Sequence, residues 1–449
     1  MIAARRTGWP WASFHLAFGL VGVVLIAVAQ LYAFTEMSVY ATTRIGGGRA
    51  TLLILFGASF FIFTTVALVR IAPMMLFAYF DATRAVPSTP RRFPPVSILI
   101  PAHDEAERIE RALQAIVALD YPEVEAIVVD DGSRDDTFAR ASRFAAAHGG
   151  GRVKVLRKPN GGKWSALNLA FRESVGELVV CVDADSHLTR DSLRWLVRHF
   201  DDPIIGGCAG QVAVRNADRL LTRFQSLEYV VMNGLLRRMQ SFFGMVLVAP
   251  GPVSMFRRQC LEDINTRFCD GNGPWENDTF AEDADLSLNL LLTGSRLVYE
   301  ARAVSLTTVP ATTFALLNQR YRWTRGNLQA AVKAWHRWRR EPRAPRLLPL
   351  WLGALLFETI VWPLVNLYGM LAFGLFVALF GVEGPIVLWF VALTVLDMNM
   401  AALSVRLERA SLRLLLLTPL NRVYFTVLLD VSKLFSLYDE LRNTRMRWS

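Results

Sequence analysis

Three β-branched runs in this chain end in acids. VSILI leads into PAHDE at 101–105, EAIVV into DDGS at 130–133, and ELVVCV into DADS at 183–186. An aspartate after a strand is ordinarily a turn or N-cap residue, but three such ends together form a constellation with chemistry in it. Asp183 and Asp185 alternate along a strand end, and the turn beyond can bring both carboxylates to one divalent ion. All-oxygen ligation suits Mg²⁺ or Mn²⁺, and Mg²⁺ completes its shell with water and substrate phosphate, so a metal-bound diphosphate is implied. Lys163, in PNGGKWSALN, follows a glycine pair at a helix start. Backbone N–H groups and the helix dipole favour an anion there, and the ammonium adds a full charge. The spacing is not that of a Walker A loop, which excludes an NTP-hydrolysing P-loop.

Two further groups carry candidate chemistry. Asp130 and Asp131 can accept from a nucleobase N–H or from ribose hydroxyls, with Arg134 as the nearest cation in sequence. Glu282, Asp283 and Asp285, in FAEDADLSLNLLL, open a helix. Dipole stabilisation and capping explain one acid at such a position and explain three less well. A carboxylate facing the diphosphate can take the proton of an attacking hydroxyl, a contribution of roughly 10²- to 10⁴-fold. In LNQRYRWTRGN (317–327), Gln319, Arg322 and Trp323 fall at i, i+3 and i+4, so an amide, a guanidinium and an indole share one helix face. That face suits a phosphate and a sugar. It also suits a basic helix beside a membrane, with Trp323 at the headgroups.

Positioning these residues requires alternating strands and helices. VSILIPA (96–102), EAIVVDDGS (125–133), VKVLRK (153–158) and ELVVCVDADS (177–186) read as strands. The segments EAERIERALQAIVAL, TFARASRFAAA and SALNLAFRES between them read as helices. Such alternation predicts an α/β domain, a mostly parallel sheet with helices on both faces, whose ligands gather beyond the carboxyl ends of the strands.

The flanks are of another kind. Phe14 to Phe34 contains no Asp, Glu, Lys or Arg and has about the ~20 residues a bilayer core requires, and Thr51 to Val69 is a second such run. Arg5 and Arg6 precede the first, which predicts a retained anchor with a cytoplasmic amino terminus. Two crossings then put the chain from about Arg84 onward in the cytoplasm. Leu347 to Phe380, apolar apart from Glu358, and Pro385 to Leu403 predict further crossings joined by the turn GVEGP outside. Arg413, Arg422, Asp430 and Lys433 interrupt Leu412 to Leu437, which predicts an interfacial or re-entrant hairpin. Glu358 and Asp397 lie at membrane depth, where a carboxyl group faces protein or water, or snorkels from a helix end. The expected organisation is therefore 1–83, two transmembrane helices; 84–346, a cytoplasmic catalytic domain entered through VPSTPRRFPP; and 347–449, a membrane region with transmembrane and interfacial helices.

Composition agrees. With 53% hydrophobic residues and 20% charged, and a mean hydropathy of +0.30, the chain is too apolar for an ordinary soluble protein of its length. The net charge of +10 suits anionic lipid or a phosphorylated ligand. No nucleic-acid recognition motif appears, and acidic strand ends oppose that partner. Cys181, Cys208, Cys260 and Cys269 form no C-x-x-C pair and read as buried thiols in a reducing compartment.

The ordered set VSILIPAHDE, VVDDGS, NGGKWSALN, VDADS, APGPVSMFRR, AEDAD and QRYRW resembles the membrane-embedded family 2 glycosyltransferases, over about residues 93–340. That family includes the synthases of cellulose, chitin, hyaluronan, poly-N-acetylglucosamine and nodulation chito-oligosaccharides. The resemblance implies a GT-A-type nucleotide-sugar-binding domain inserted between transmembrane helices. It implies that Ala102 and Glu105 border a uridine pocket, that Asp131 contacts the nucleoside, Lys163 the diphosphate, Asp183 the donor and Asp185 the metal. It makes Asp283 the general base beside Glu282, puts Gln319 and Arg322 on the donor, and makes Trp323 the floor under the acceptor sugar. The motif A-E-D stands where several relatives have T-E-D, with both carboxylates retained.

The implied reaction is inverting, metal-dependent transfer from an α-linked UDP-sugar to a growing polysaccharide, without a covalent enzyme intermediate. UDP-N-acetylglucosamine is the first choice of donor, because GPVSMFRR resembles chitin-oligosaccharide and hyaluronan synthases while EDADLS with NQRYRW resembles the poly-N-acetylglucosamine branch. The alternatives are a β-glucan synthase using UDP-glucose, a non-processive transferase adding one sugar to a lipid, and a scaffolding subunit with a dead site. Processive synthesis would send product through the membrane helices, with Trp351, Trp362 and Trp389 as sugar-stacking or interfacial residues. The expected setting is the inner (plasma) membrane, multi-pass in the lipid bilayer with the catalytic domain in the cytoplasm. A small accessory membrane subunit is compatible with the sequence.

Overall fold

VSILIPA forms strand β1 (Val96–Ala102), and the next β-branched runs form β2 (Val124–Asp130), β3 (Val153–Arg157) and β4 (Leu178–Cys181). In the computed structural model, which describes residues 10–45, 47–86, 89–148, 150–380, 385–442 and 444, these four strands are parallel neighbours. Four more complete the sheet: β5 (His187–Leu188), β6 (Ile205–Val214), β7 (Ser254–Arg257) and β8 (Arg296–Thr307). The order is β3-β2-β1-β4-β7-β6-β8-β5. β7 runs antiparallel to both β4 and β6, β6 and β8 pair in parallel, and β5 is an antiparallel edge on β8. The sheet is therefore mostly parallel, with antiparallel pairing confined to its second half.

Burial follows the two-residue period of a strand. Ile98, Ile100 and Val128 pack with Ile109, Leu113 and Ile116 of the helix Ile109–Val117 and with Phe144 of the helix Thr137–His148. On the opposite face, Leu99, Ile127, Val129 and Val179 are also fully buried, and the helix Lys163–Arg172 lies against β1 and β2. Burial of both faces explains why β1 and β2 read as nearly continuous apolar runs. The strand ends then remain the one part of the sheet where acids can be exposed to a ligand.

The chain divides into two compact units. One comprises Ala85–Tyr229 and Gln240–Leu356 and holds the sheet; the other comprises Met1–Arg84, Val230–Met239 and Phe357–Ser449. In the second unit a short segment from the middle of the sequence is anchored by Arg238, which pairs with Glu408 at 2.9 Å and reaches Asp81 at 3.5 Å.

Four helical runs among the described residues are long and apolar enough to cross a membrane: Pro10–Arg44, Gly47–Thr83, Leu348–Ala378 and Leu412–Leu441. The helix Pro385–Leu407 covers the run expected from Pro385 to Leu403. Arg5, Arg6, the turn residues 381–384 and most of the basic tail lie outside the described residues. The expected hairpin at Leu412 to Leu437 does not form, because the stretch is a continuous helical run.

Three of the four charges that argued against such a helix, Arg422, Asp430 and Lys433, are paired. Arg422 Nε bonds Asp397 at 2.6 Å. Asp430 accepts from Asn366 at 2.7 Å and pairs with Lys433 at 3.3 Å. Glu358 pairs with Arg70, whose guanidinium lies 4.5 Å from the Trp362 ring centroid. Both carboxyl groups expected at membrane depth thus face protein, each with its own arginine. Trp362 is buried against Arg70 and Phe63, and Trp351 is buried beside Phe243. Neither ring is open for a sugar here, and the side chain of Trp389 lies outside the described residues.

Candidate active site

The parallel register of β1, β2 and β4 brings their acidic ends to one edge of the sheet. Ala102, buried at the end of β1, accepts from the Asp131 N–H at 2.8 Å, which ties the first two ends together. Asp104 takes φ 54°, a backbone region unfavourable for a side-chain-bearing residue. Its N–H donates to Ser133 Oγ at 3.0 Å and its carboxylate accepts from the Arg134 N–H at 2.8 Å, which holds it there.

Gly132 has φ +73°, and a Cβ at that position would collide with the Asn160 backbone. Only glycine lets the NGGK loop lie against DDGS. Asp131 then accepts from Lys158 Nζ at 2.6 Å and from the N–H groups of Gly161 and Gly162 at 3.0 and 2.7 Å. In this state its carboxylate fastens the loop that leads to Lys163. Asp130, fully buried, pairs with Arg157 at 3.1 Å. The cations for both aspartates thus come from the end of β3, and Arg134, nearest in sequence, supplies only a backbone N–H to Asp104.

Lys163 is the first residue of its helix, entered through Gly162 at φ 89°. Its Nζ lies 2.9 Å from Asp183 Oδ1 and 2.8 Å from Glu282 Oε1. Burial disfavours the ammonium, but Asp183, Glu282 and Asp283 outweigh it and hold the lysine pKa well above its ordinary value. A Cβ at Gly251, in APGPVSM, would press on both Lys163 Nζ and the Asp183 carboxylate, so the backbone passes directly over this pair. A cavity beside it is lined by Lys163, Asp183, Asp283, Leu167, Phe256 and Trp275. Asn168 seats Trp275 with two hydrogen bonds, donating to its carbonyl at 2.8 Å and accepting from its N–H at 3.1 Å.

The three acids opening the helix Glu282–Leu292 have three different environments. None caps the helix, whose N-cap residue is Ala281. Burial opposes ionisation of Glu282, but the Lys163 ammonium overcomes it and holds the carboxyl below its usual range. Asp283 accepts from the Ala284 N–H at 2.8 Å; burial and the neighbouring Glu282 charge push its pKa up to about 6. Asp285 belongs elsewhere. With Glu276 and Asp278 it forms a carboxylate group of metal-like dimensions, but Lys333 Nζ lies 2.9, 2.8 and 2.7 Å from the three. An ammonium occupies the place a metal would take, so this cluster is structural.

Asp185 and Glu105 complete the acidic edge. Burial and the Asp183 charge raise the Asp185 pKa. Burial raises that of Glu105 too, with Asp185 and Asp183 adding to it, although Arg108 sits 2.9 Å from its carboxylate. Glu105, Asp183 and Asp185 therefore share a negative field that Arg108 and Lys163 relieve only in part.

Gln319, Arg322 and Trp323 lie on the helix Thr313–Trp338. Gly326 seats this helix, because a Cβ there would overlap Ala281, the residue before Glu282, and Gln329 Oε1 accepts from the Phe280 N–H at 3.2 Å. Arg322 is close enough to help hold Glu282 ionised.

The three arginines of the run differ. Arg320 pairs with Glu228 at 2.8 Å and stacks 4.6 Å from the Trp323 ring centroid. Arg325 is buried, bonded to Tyr321 Oη at 2.9 Å and lying over Phe280. Arg322 is exposed, and Trp323 beside it is 39% exposed. Gln319 Oε1 is buried without a hydrogen-bond partner among the described residues, a group that a ligand donor would satisfy. Gly251, Gly326, Trp275, Arg320 and Glu228 are contributors that motif reading passed over. Each acts through a long-range contact. Of them only Gly326, a helix-breaking residue kept inside a helix, carries a local signal.

Residues 97–264 match the family model described as Glycosyl transferase family 2. Among curated proteins, the chain is similar to poly-β-1,6-N-acetyl-D-glucosamine synthases of Staphylococcus epidermidis, at 29% identity over 57% of this chain and 60% of the relative, and of Staphylococcus aureus, at 29% identity over 59% and 61%. The matched region spans about three fifths of those relatives' length. Among solved structures, a mannosyltransferase of Pyrobaculum calidifontis in complex with GDP-Man and Mn²⁺ aligns with a TM-score of 0.61 at 22% identity, over 87% of this chain and all of that one. Its likeness lies in the fold. The GT-A-like α/β sheet, the motifs at its strand ends and the apolar helices on either side accompany the family match, and residues 97–264 are similar to the family 2 glycosyltransferases.

Proposed function

We propose that the chain transfers N-acetylglucosamine from its UDP conjugate onto a growing β-linked polysaccharide, with inversion at the anomeric carbon, and passes the product across the membrane. The observation that carries this reading is Lys163 held between Asp183 and Glu282, with Asp283 adjacent and raised to about 6. That group offers a cation for a diphosphate beside a carboxylate suited to accept a proton. The choice of sugar is supported by the similarity to the staphylococcal synthases.

In the proposed reaction, Asp283 takes the proton of an acceptor hydroxyl as its oxygen forms a bond to the anomeric carbon. The bond from that carbon to the β-phosphate oxygen breaks, and UDP leaves with the electron pair. A carboxylate with a pKa of about 6 is largely ionised near neutral pH and is a stronger base than an ordinary aspartate. Lys163 and the exposed Arg322 meet the charge that develops on the leaving diphosphate. Trp323 offers an indole face to the acceptor sugar, while Glu105, Ala102 and Asp131 border the nucleoside.

The residues present also fit a divalent ion. Glu105, Asp183 and Asp185 give an oxygen-only donor set whose mutual repulsion a hard cation would relieve. Asp183 and Asp185 would hold Mg²⁺ or Mn²⁺, which would neutralise phosphate charge during departure. The setting proposed is the inner membrane, with the catalytic unit in the cytoplasm.

Purified chain in lipid nanodiscs, supplied with metal and with UDP-N-acetylglucosamine, UDP-glucose or UDP-glucuronate, should release UDP from the first and build long chains. Single-sugar transfer to lipid would replace polymerisation with the non-processive reading, and preference for UDP-glucose would overturn the choice of sugar.

A further inference from the structure

The end of the helix Thr313–Trp338 and the segment after it bear a second concentration of charge, separate from the site. Arg339, Arg340, Arg343 and Arg346 are all exposed, as is His336. None of the four arginines has an ion-pair partner among the described residues. The one acid in residues 335–346, Glu341, is already paired with Arg267. Trp335 and Trp338 are half-buried with ring centroids 6.2 Å apart, and Arg339 lies over Trp335 at 5.8 Å. Trp338 Nε1 donates to the Pro345 carbonyl at 3.2 Å, which folds the basic segment back on the helix end. Val332, Leu347 and Leu350 are apolar and 51, 54 and 69% exposed.

Exposed arginines, an indole pair and exposed aliphatic side chains on one stretch are the composition of a segment that lies in a lipid headgroup layer. The chain's own continuity supplies the place. Arg346 precedes by two residues the run Leu348–Ala378, which is long and apolar enough to cross a membrane. Two residues reach about 7 Å, which is within the roughly 8 Å Debye length of physiological salt.

We propose that residues 335–346 form a docking site for anionic phospholipid headgroups, in which the four arginines bind phosphate and the tryptophan pair settles at the glycerol level. Arginine suits this ligand because its planar fork engages phosphate oxygens in pairs. The site is independent of the sugar specificity proposed above.

The test uses the full chain in nanodiscs of phosphatidylcholine with or without phosphatidylglycerol, each doped with a photoreactive tracer of one lipid. The phosphatidylglycerol tracer should label the peptide containing Trp335–Arg346 several-fold more than the phosphatidylcholine tracer. Unlabelled phosphatidylglycerol should compete, soluble glycerol phosphate should not, and salt should weaken the labelling. Each arginine near a charged surface is worth roughly a fivefold change in binding, so the combined variant R339Q/R340Q/R343Q/R346Q should abolish the preference, while the all-lysine counterpart retains most of it. Equal labelling by both tracers in the unmodified chain would overturn the proposal without any variant. Competition by glycerol phosphate would replace the lipid with a soluble phosphate ligand. Retained preference in the glutamine variant, with UDP binding intact, would also overturn it.

Discussion

The sheet unit and the membrane unit each contain a dense group of ionisable side chains, and the two are balanced differently. In the membrane unit three acids each have their own cation: Glu358 with Arg70, Asp397 with Arg422, Asp430 with Lys433. In the sheet unit Glu105, Asp183, Asp185, Glu282 and Asp283 face only Lys163 and Arg108, with Arg322 exposed nearby. Charge in an apolar setting must be neutralised where it stands, and the membrane unit does so. The sheet unit leaves an excess of carboxylate, which adds to burial in raising the pKa of Asp283, Asp185 and Glu105. Excess negative charge at strand ends is what the proposed cation and diphosphate site requires, whereas matched pairs hold helices together.

That contrast can be broken most sharply at Asp283. Asp283→Asn should lower turnover by roughly 10²- to 10⁴-fold while UDP affinity and melting temperature stay near those of the unmodified chain. Unchanged turnover would overturn the proposed role of Asp283 as general base.

The matched pairs should behave in the opposite way. Arg70→Met alone strands Glu358 and should cost on the order of 3 kcal/mol of stability, whereas Arg70→Met with Glu358→Leu should recover most of it. A thermal-unfolding cycle in detergent measures this, and additive losses would mean that the pair is not coupled.

Gly326→Ala forces a methyl against Ala281 and should cost about 1–3 kcal/mol of overpacking. Because it displaces the helix bearing Arg322, donor affinity should fall along with stability; loss of stability alone would separate the two helices functionally. The smallest effect is expected from Glu228→Gln, which frees Arg320 from its place over Trp323. A cation–π contact is worth about 0.5–1 kcal/mol when exposed, so acceptor KM should rise a few-fold at unchanged UDP affinity.

Much of the sheet unit could be read in advance because its signals are local. β1 forms over the residues of VSILIPA, and the acids of DDGS and DADS lie at the ends of β2 and β4, the strands on either side of β1, because short parallel strands leave them there. Lys163 opens its helix because a glycine pair ends the preceding loop. The second half of the sheet was not foreseen. β6, β7 and β8 are joined by partners far apart in sequence, and a strand pattern alone carries no pairing information.

The membrane unit shows the same limit. Leu412 to Leu437 looked too charged to be one helix because the partner of Arg422 lies on a different helix, at Asp397. The structural role of Asp285 was hidden for the same reason, since Lys333 stands 48 residues away. Composition identified which groups were ionisable, but only long-range packing determined which were paired.

The most direct test of the central claim is the pH dependence of kcat/KM for the unmodified chain and for Glu282→Gln. Asp283 must be ionised to accept a proton, so kcat/KM should fall as pH drops through about 6 and level off above it. Removing the neighbouring Glu282 charge should move that limb to lower pH. A limb in the ordinary aspartate range in the unmodified chain, or one that stays in place in the variant, would contradict the account of Asp283 as a base raised by burial and by uncompensated carboxylate charge.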